Sequence, residues 1–478
     1  LSCANRMSET SEEMMVDMSD QSASPPLGLE EHSLDDSLIH GSALSKAAAP
    51  HSAPKKNSLC YDIFMPILVV ALFAGGLVTI LVANNWRAND PTEIAKIYHE
   101  KHPFIDGKNQ LPYAIKAIYK GDLKSVNLNE EHTAIATDIP GVRKGKLGGV
   151  VWSSYMPCGI IYGNEGPAAV ERTLYQMDII YDIIRKYYTT FKIASDPAEV
   201  PEIFSNDKLV SSVISIEGGH QIHDDLSVLR MFRKLGAISM SLTHECSTAW
   251  AETENPYNTQ YTTVKGITDF GVSVIAEMNR IGMMVDLSHT SVAAMTLGLQ
   301  VSQAPVLFSL SGAKALCDSP LNVPDSLFDP IAKKGGVVMV PLFPPAICGW
   351  AATLFDQYRA GLITQTNLVQ QYDESTQSCG IEEVFQHIDY LKTKLGVSRI
   401  GISSNFDANL GLAIKDLENT SKLINLTARL VKAGYSENDI TGIIGGNFLK
   451  AWAVAEQVSE EILLEELGGQ RPTGIFTL

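Results

Sequence analysis

Eight short runs of apolar and β-branched residues recur along the chain, separated by longer amphipathic stretches, and this alternation narrows the possible folds most. The runs are Phe104–Leu111, Gly149–Tyr155, Ser212–Gly218, Ile238–His244, Met283–His289, Pro305–Ser311, Gly336–Phe343 and Arg399–Phe406. Segments with helical spacing lie between them, among them Ala169–Tyr188, Leu226–Leu235 and Val272–Ile281. A strand, a helix and a second strand join naturally as a parallel pair, because the crossover needs a dozen residues or more. Eight such units are the number that closes a TIM-like (β/α)8 barrel. A doubly wound open sheet is the structural alternative. No Gly-x-Gly-x-x-Gly follows the first run, so a dinucleotide-binding fold has no support.

The globular pattern occupies residues 90–458, and 459–478 read as a C-terminal extension. Residues 1–60 are rich in Ser, Ala, Met and acidic side chains, with no sustained apolar period, as a disordered tail would be. The chain opens on Leu1, which fits either a fragment or a start at Met7. Ile63–Ala83 is uncharged and apolar throughout, and a spanning helix needs about 20 such residues. A cleaved leader has a shorter apolar stretch of about 7–15 residues close to the N-terminus. Residues 61–86 therefore read as an uncleaved single-pass transmembrane anchor. Lysines and arginines are nearly balanced on its two sides. Five cysteines and the acceptor sequons at Asn419 and Asn425 all follow it, which favours a type II protein with a lumenal or extracellular barrel. The net charge of −17 argues against a nucleic-acid partner, which would want a basic face.

In a parallel barrel, function gathers at the C-terminal ends of the strands. Those ends carry Asp106-Gly-Lys-Asn-Gln-Leu-Pro, Ile216-Glu-Gly-Gly-His, Leu242-Thr-His-Glu-Cys, Val285-Asp-Leu-Ser-His, Phe308-Ser-Leu-Ser and Ser403-Ser-Asn-Phe-Asp. A lone buried histidine is more often a satisfied core residue than a ligand. Several histidines and a glutamate converging on one mouth shift the balance toward a site.

These segments resemble the membrane dipeptidase (renal dipeptidase-like) zinc peptidase family. Thr137-Asp-Ile-Pro, Gly148-Gly-Val-Val-Trp-Ser-Ser-Tyr-Met-Pro-Cys, Met283-Met-Val-Asp-Leu-Ser-His, Leu321-Asn-Val-Pro-Asp and Gly445-Gly-Asn-Phe-Leu add to the likeness, in order from about His102 to about Ala455. The resemblance implies a TIM-like barrel of the metal-dependent hydrolase type, holding two zinc ions bridged by a glutamate, with dipeptides as substrates; the oligomeric state stays open, a homodimer being one possible assembly. By position, Glu217 matches the bridging glutamate, His289 a zinc ligand and His244 a substrate-binding histidine. The remaining positions depart. Lys108 and Leu310 stand where the family has histidine ligands, and Gln110 where it has an aspartate ligand. Asn405 replaces the catalytic aspartate, and Leu321 the arginine that binds the substrate carboxylate. His220, three residues past a strand end, is a further candidate ligand.

A protonated lysine has no lone pair for zinc, leucine has no ligand atom, and a neutral amide is a poor zinc ligand. Only Glu217 and His289 remain as metal ligands, fewer than the three of a usual catalytic zinc. Zinc is therefore expected to be absent or only partly bound. The expected function is a catalytically inactive, membrane-anchored pseudoenzyme that binds small peptides or scaffolds other proteins. The alternative is an active metallodipeptidase with a rearranged or mononuclear site. An ion pair of Lys108 with Glu217 would keep the mouth neutral without metal. The resemblance also implies disulfides Cys158–Cys246 and Cys317–Cys348, leaving Cys379 unpaired or intermolecular.

Overall fold

The computed structural model describes residues 89–158, 166–257 and 261–468. The expected tail and anchor lie outside them. Among the described residues no helix is long and apolar enough to cross a membrane.

Nine strands make one parallel sheet among the described residues: β1 (Phe104–Asn109), β2 (Leu147–Tyr155), β3 (Phe191–Ile193), β4 (Val210–Glu217), β5 (Ala237–Ser241), β6 (Met284–Asp286), β7 (Val306–Phe308), β8 (Val337–Pro341) and β9 (Ile400–Ser403). Eight of them run in the order β1-β2-β4-β5-β6-β7-β8-β9. The two ends of that row meet. Asn109 bridges Phe406 in parallel, Gln110 N donates to Phe406 O at 3.0 Å, and Asn405 N to Lys108 O at 2.9 Å. The result is a nearly closed eight-stranded barrel, and the open-sheet alternative falls away. The ninth strand, β3, pairs from Phe191↔Val210 to Ile193↔Ser212 and lies off the ring.

Strands covered on both faces need apolar residues at successive positions, and the chain divides them by parity. Val150, Trp152, Ile214, Val285, Phe308, Val338 and Val340 pack in the outer layer beneath the helices. Their neighbours Val151, Val213, Met284, Leu307, Val337 and Met339 belong to a second cluster with Phe448 and Trp452. Those two residues come from the last helix, Asn447–Glu466, so the expected boundary at 458 falls within one continuous helix. Gly445, just before it, would place a Cβ 2.7 Å from Pro103 O, at the N-terminal end of β1. The last helix therefore starts at the closed end of the barrel, opposite the strand ends that carry the site.

Interior positions nearer the site turn polar. A cavity of about 10 Å³ is lined by Ser153, Ser215, Ser239, Ser309 and Asp286, with Lys108 and Glu217 on its wall. Gly107 leaves room here for the Met339 side chain, whose Cε would stand 2.1 Å from a Cβ at that position.

Cys158–Cys246 forms, with Cα atoms 5.9 Å apart, and ties the loop after β2 to the loop after β5. The second expected pairing is overturned: Cys348 bonds Cys379, again at a Cα separation of 5.9 Å. Cys348 opens helix Gly349–Arg359, and the chain returns through helix Gln365–Asp373 to bring Cys379 beside it. That separation lies within the usual range for a disulfide. Cys317 remains a buried thiol against Pro345 O, and burial pushes its pKa up to about 12.

Candidate functional site

The apolar strand β4 delivers Glu217 to the mouth, 2 % exposed. Gly218 follows at φ +117°, where L side chains are strained, and a Cβ there would run into the His220 ring at 2.3 Å. Three side chains from three other elements close on the carboxylate. Lys108, from β1, places Nζ 2.5 Å from Oε1. His244, just beyond β5, places Nε2 2.9 Å from the same oxygen. Gln110 donates Nε2–H to Oε2 at 2.6 Å. Gln110 occupies the N-cap position of helix Leu111–Tyr119 yet makes no side-chain cap bond there; its amide is committed to Glu217 instead. Burial alone would raise the carboxyl pKa, but Lys108 and His244 together hold it at about 2.

His289 Nε2 stands 3.9 Å from Glu217 Oε1 and has no hydrogen-bond partner among the described residues. Its ring lies on that of His244, with centroids 4.2 Å apart. Burial pushes its pKa well below the ordinary histidine value, and the charges of His244, Lys108 and Arg359 add to the effect. On its far side His244 meets Tyr155, with ring centroids 4.8 Å apart. His289 and Asn405 hold φ of +66° and +54°. Both residue types visit this region more readily than most, and the turn it makes ends each strand at the mouth. Asn405 donates Nδ2–H to Asn409 Oδ1 at 3.1 Å, while its Oδ1 is buried without a partner among the described residues.

Leu310 and Leu321 are not scattered. They pack together with Phe343 and Ala346 in one small apolar cluster, with Phe355 against it. His220 is turned away from Glu217, with Nε2 2.9 Å from Met156 O.

A second set of residues at the mouth has no role assigned by the sequence, although Asp106 and Ser404 lie within the strand-end segments. Asp106 is fully buried and accepts from Ser404 N at 2.7 Å and Ser404 Oγ at 2.5 Å, linking β1 to the end of β9. Burial raises its pKa to about 6 against those bonds. Arg359, the last residue of its helix, pairs with Glu245 at 2.8 Å.

The donor set does not fit a dinuclear zinc centre. Glu217, His244 and His289 have ligand atoms within 4.8 Å of one another. Both oxygens of Glu217 are already engaged, however, and Oε1 faces an ammonium group rather than open space. Leu310 has no ligand atom. Cys158, His220 and Cys246 also lie close together, but the two sulfurs are bonded to each other and offer no thiolate.

Residues 92–466 match the family model of the membrane dipeptidases, peptidase family M19. Dipeptidase 3 of Mus musculus is 33% identical over 374 residues, which are 78% of this chain and 67% of the relative. Dipeptidase 3 of Homo sapiens is 34% identical over 361 residues, 75% of this chain and 66% of the relative. The chain thus spans about two thirds of these relatives' length. The crystal structure of the probable dipeptidase PvdM of Pseudomonas aeruginosa superposes with a TM-score of 0.67 at 22% identity, covering 77% of this chain and 99% of that one. At that identity the likeness speaks to the barrel alone.

Proposed function

Because the chain belongs to the membrane dipeptidase family, peptidase family M19, we propose that it is a catalytically inactive member, a membrane-anchored protein that binds small peptides or scaffolds partners on a dipeptidase barrel. The observation that carries this reading is the Lys108–Glu217 ion pair, 2.5 Å long and 3%/2% exposed. It puts a fixed protein cation against the carboxylate that would have to bridge two metals. The chemistry fails at further points. Metal ions would supply a hydroxide of lowered pKa, and only Glu217 and His289 stand at ligand positions of the family. The Asn405 amide cannot take up and return a proton as a carboxylate does. Leu321 has no donor with which to hold a substrate carboxylate.

Metal analysis combined with a dipeptide hydrolysis assay on the full-length protein from a secretory host tests the proposal. Zinc well below one equivalent and hydrolysis no faster than a blank are expected. A second reading, an active mononuclear enzyme, is favoured by one observation: the ligand atoms of Glu217, His244 and His289 lie within 4.8 Å of one another. One tightly held zinc with measurable hydrolysis would establish it.

The apolar run Ile63–Ala83 supports anchoring by a single helix. Two disulfides and the sequons at Asn419 and Asn425 support a type II orientation with the barrel lumenal or extracellular. Protection of the barrel from protease in sealed microsomes is the expected result. Sedimentation of the detergent-solubilised protein tests for a homodimer.

A further inference from the structure

A second buried cation stands at the barrel mouth. The Arg359 side chain is only 8% exposed. Its guanidinium is held between two rings, 5.6 Å from the Phe355 centroid and 5.7 Å from that of Tyr257. Nη2 donates to Glu245 Oε2 at 2.8 Å. Asp356 Oδ1, 3.8 Å from Nη1, is beyond hydrogen-bond reach. Nε is buried without a partner among the described residues. A guanidinium carries five N–H donors and pairs best with a carboxylate through two parallel bonds. Here the fork is planar, oriented and largely unused.

The surroundings fix where it points. Glu245 directly follows His244, and Asn255 Nδ2 holds Glu245 through O at 2.6 Å and Oε2 at 2.9 Å. The charge of Arg359 is felt at His289. Phe355, one of the two rings that flank it, packs on the cluster of Leu310, Leu321 and Phe343. The guanidinium therefore lies between the histidine pair and an apolar wall. A small molecule with one charged end and one greasy side chain would match those two surroundings. Glu245 is itself a carboxylate, 34% exposed, so its charge can pass to water when a second carboxylate takes its place on the guanidinium.

We infer that Arg359 recognises the free carboxylate of a short peptide or amino acid at the barrel mouth, and that Glu245 holds the guanidinium until such a ligand displaces it. The inference rests on the reading of the mouth as a binding site rather than a hydrolytic one.

Isothermal titration of the full-length protein tests it, with glycyl-leucine, glycyl-leucinamide and free leucine as probes. The acid should bind and its amide should bind at least about tenfold more weakly, since the amide cannot accept a charged fork. Arg359→Lys keeps the charge and loses the fork, and should weaken glycyl-leucine by roughly tenfold. Glu245→Gln removes the competitor and should tighten it. Free leucine separates an amino-acid ligand from a peptide; binding of either, dependent on Arg359, supports the inference. Equal binding of acid and amide, unchanged affinity in both variants, or no binding of any probe would overturn it. Those outcomes leave the zinc and hydrolysis results untouched. Turnover of glycyl-leucine by the unmodified protein would instead overturn the reading beneath, and the effect of Arg359→Lys would then be read on KM.

Discussion

Lys108 Nζ lies 2.5 Å from Glu217 Oε1, with the two side chains 3% and 2% exposed. Each charge is out of water and is the other's counter-ion, with His244 and Gln110 also on the carboxylate. Removing one partner of such a pair costs about 3–5 kcal/mol, because the remaining charge is stranded. Lys108→Ala should therefore destabilise the protein by about that amount in urea unfolding. The double change Lys108→Met with Glu217→Gln, which leaves no buried charge, should recover much of the loss. A Lys108→Ala variant within about 1 kcal/mol of the parent would show that the pair is not held as described.

The same pair sets an acid limit. Glu217 has its folded pKa depressed from 4.5 to about 2. A depressed carboxyl contributes stability that is present above the unfolded value and lost as pH falls through the folded one. The difference in stability between the parent and Glu217→Gln should be flat above about pH 5. It should shrink between pH 4.5 and 2, by on the order of 3 kcal/mol. A difference that stays constant down to pH 2.5 would contradict this assignment.

On the proposed reading, supplying the ligand atoms that the family has at these positions should bring in metal. Lys108→His, Gln110→Asp, Leu310→His and Asn405→Asp, made together, are expected to bring zinc that survives dialysis, measured by elemental analysis. Hydrolysis should lag behind zinc, because Leu321 still offers no donor to a substrate carboxylate. If the fourfold variant folds and stays free of zinc, the backbone at the mouth has moved as well as the side chains.

The cysteines give a direct chemical check. With Cys348 bonded to Cys379 and Cys158 to Cys246, alkylation in denaturant without reductant should label Cys317 and none of those four. Peptide mapping that finds Cys379 labelled and Cys317 protected would restore the pairing expected from the sequence.

The barrel was legible because parallel strands buried on both faces leave eight dense apolar runs, and their ends carry the polar residues. The runs overshot the hydrogen-bonded ladders: Met283–His289 contains only Met284–Asp286 as strand. The chain turns through positive φ at His289, and apolar periodicity does not report a turn of that kind. β3 escaped notice because three residues with one exposed side chain show no period. The convergence of Lys108 on Glu217 could be read from position. The bond from Gln110 could not, because a cap residue ordinarily turns its side chain to its own helix. Arg359 gave no signal at all. It lies on a helix between two strands, and Glu245 and Tyr257 reach it from the loop after β5, far away in sequence.

The packing of Leu310 against Leu321 bears on how such a protein can change by single steps. A histidine placed at 310 alone would enter a nest of leucine, alanine and phenylalanine. An arginine returned at 321 alone would bring a charge into the same nest. An unpaired polar group in such a place costs about 1–3 kcal/mol, and a charge more. Each leucine thus guards the other against reversion. On the proposed reading, gaining the family's ligand and clamp at these two positions runs uphill before it runs down, and both must change together.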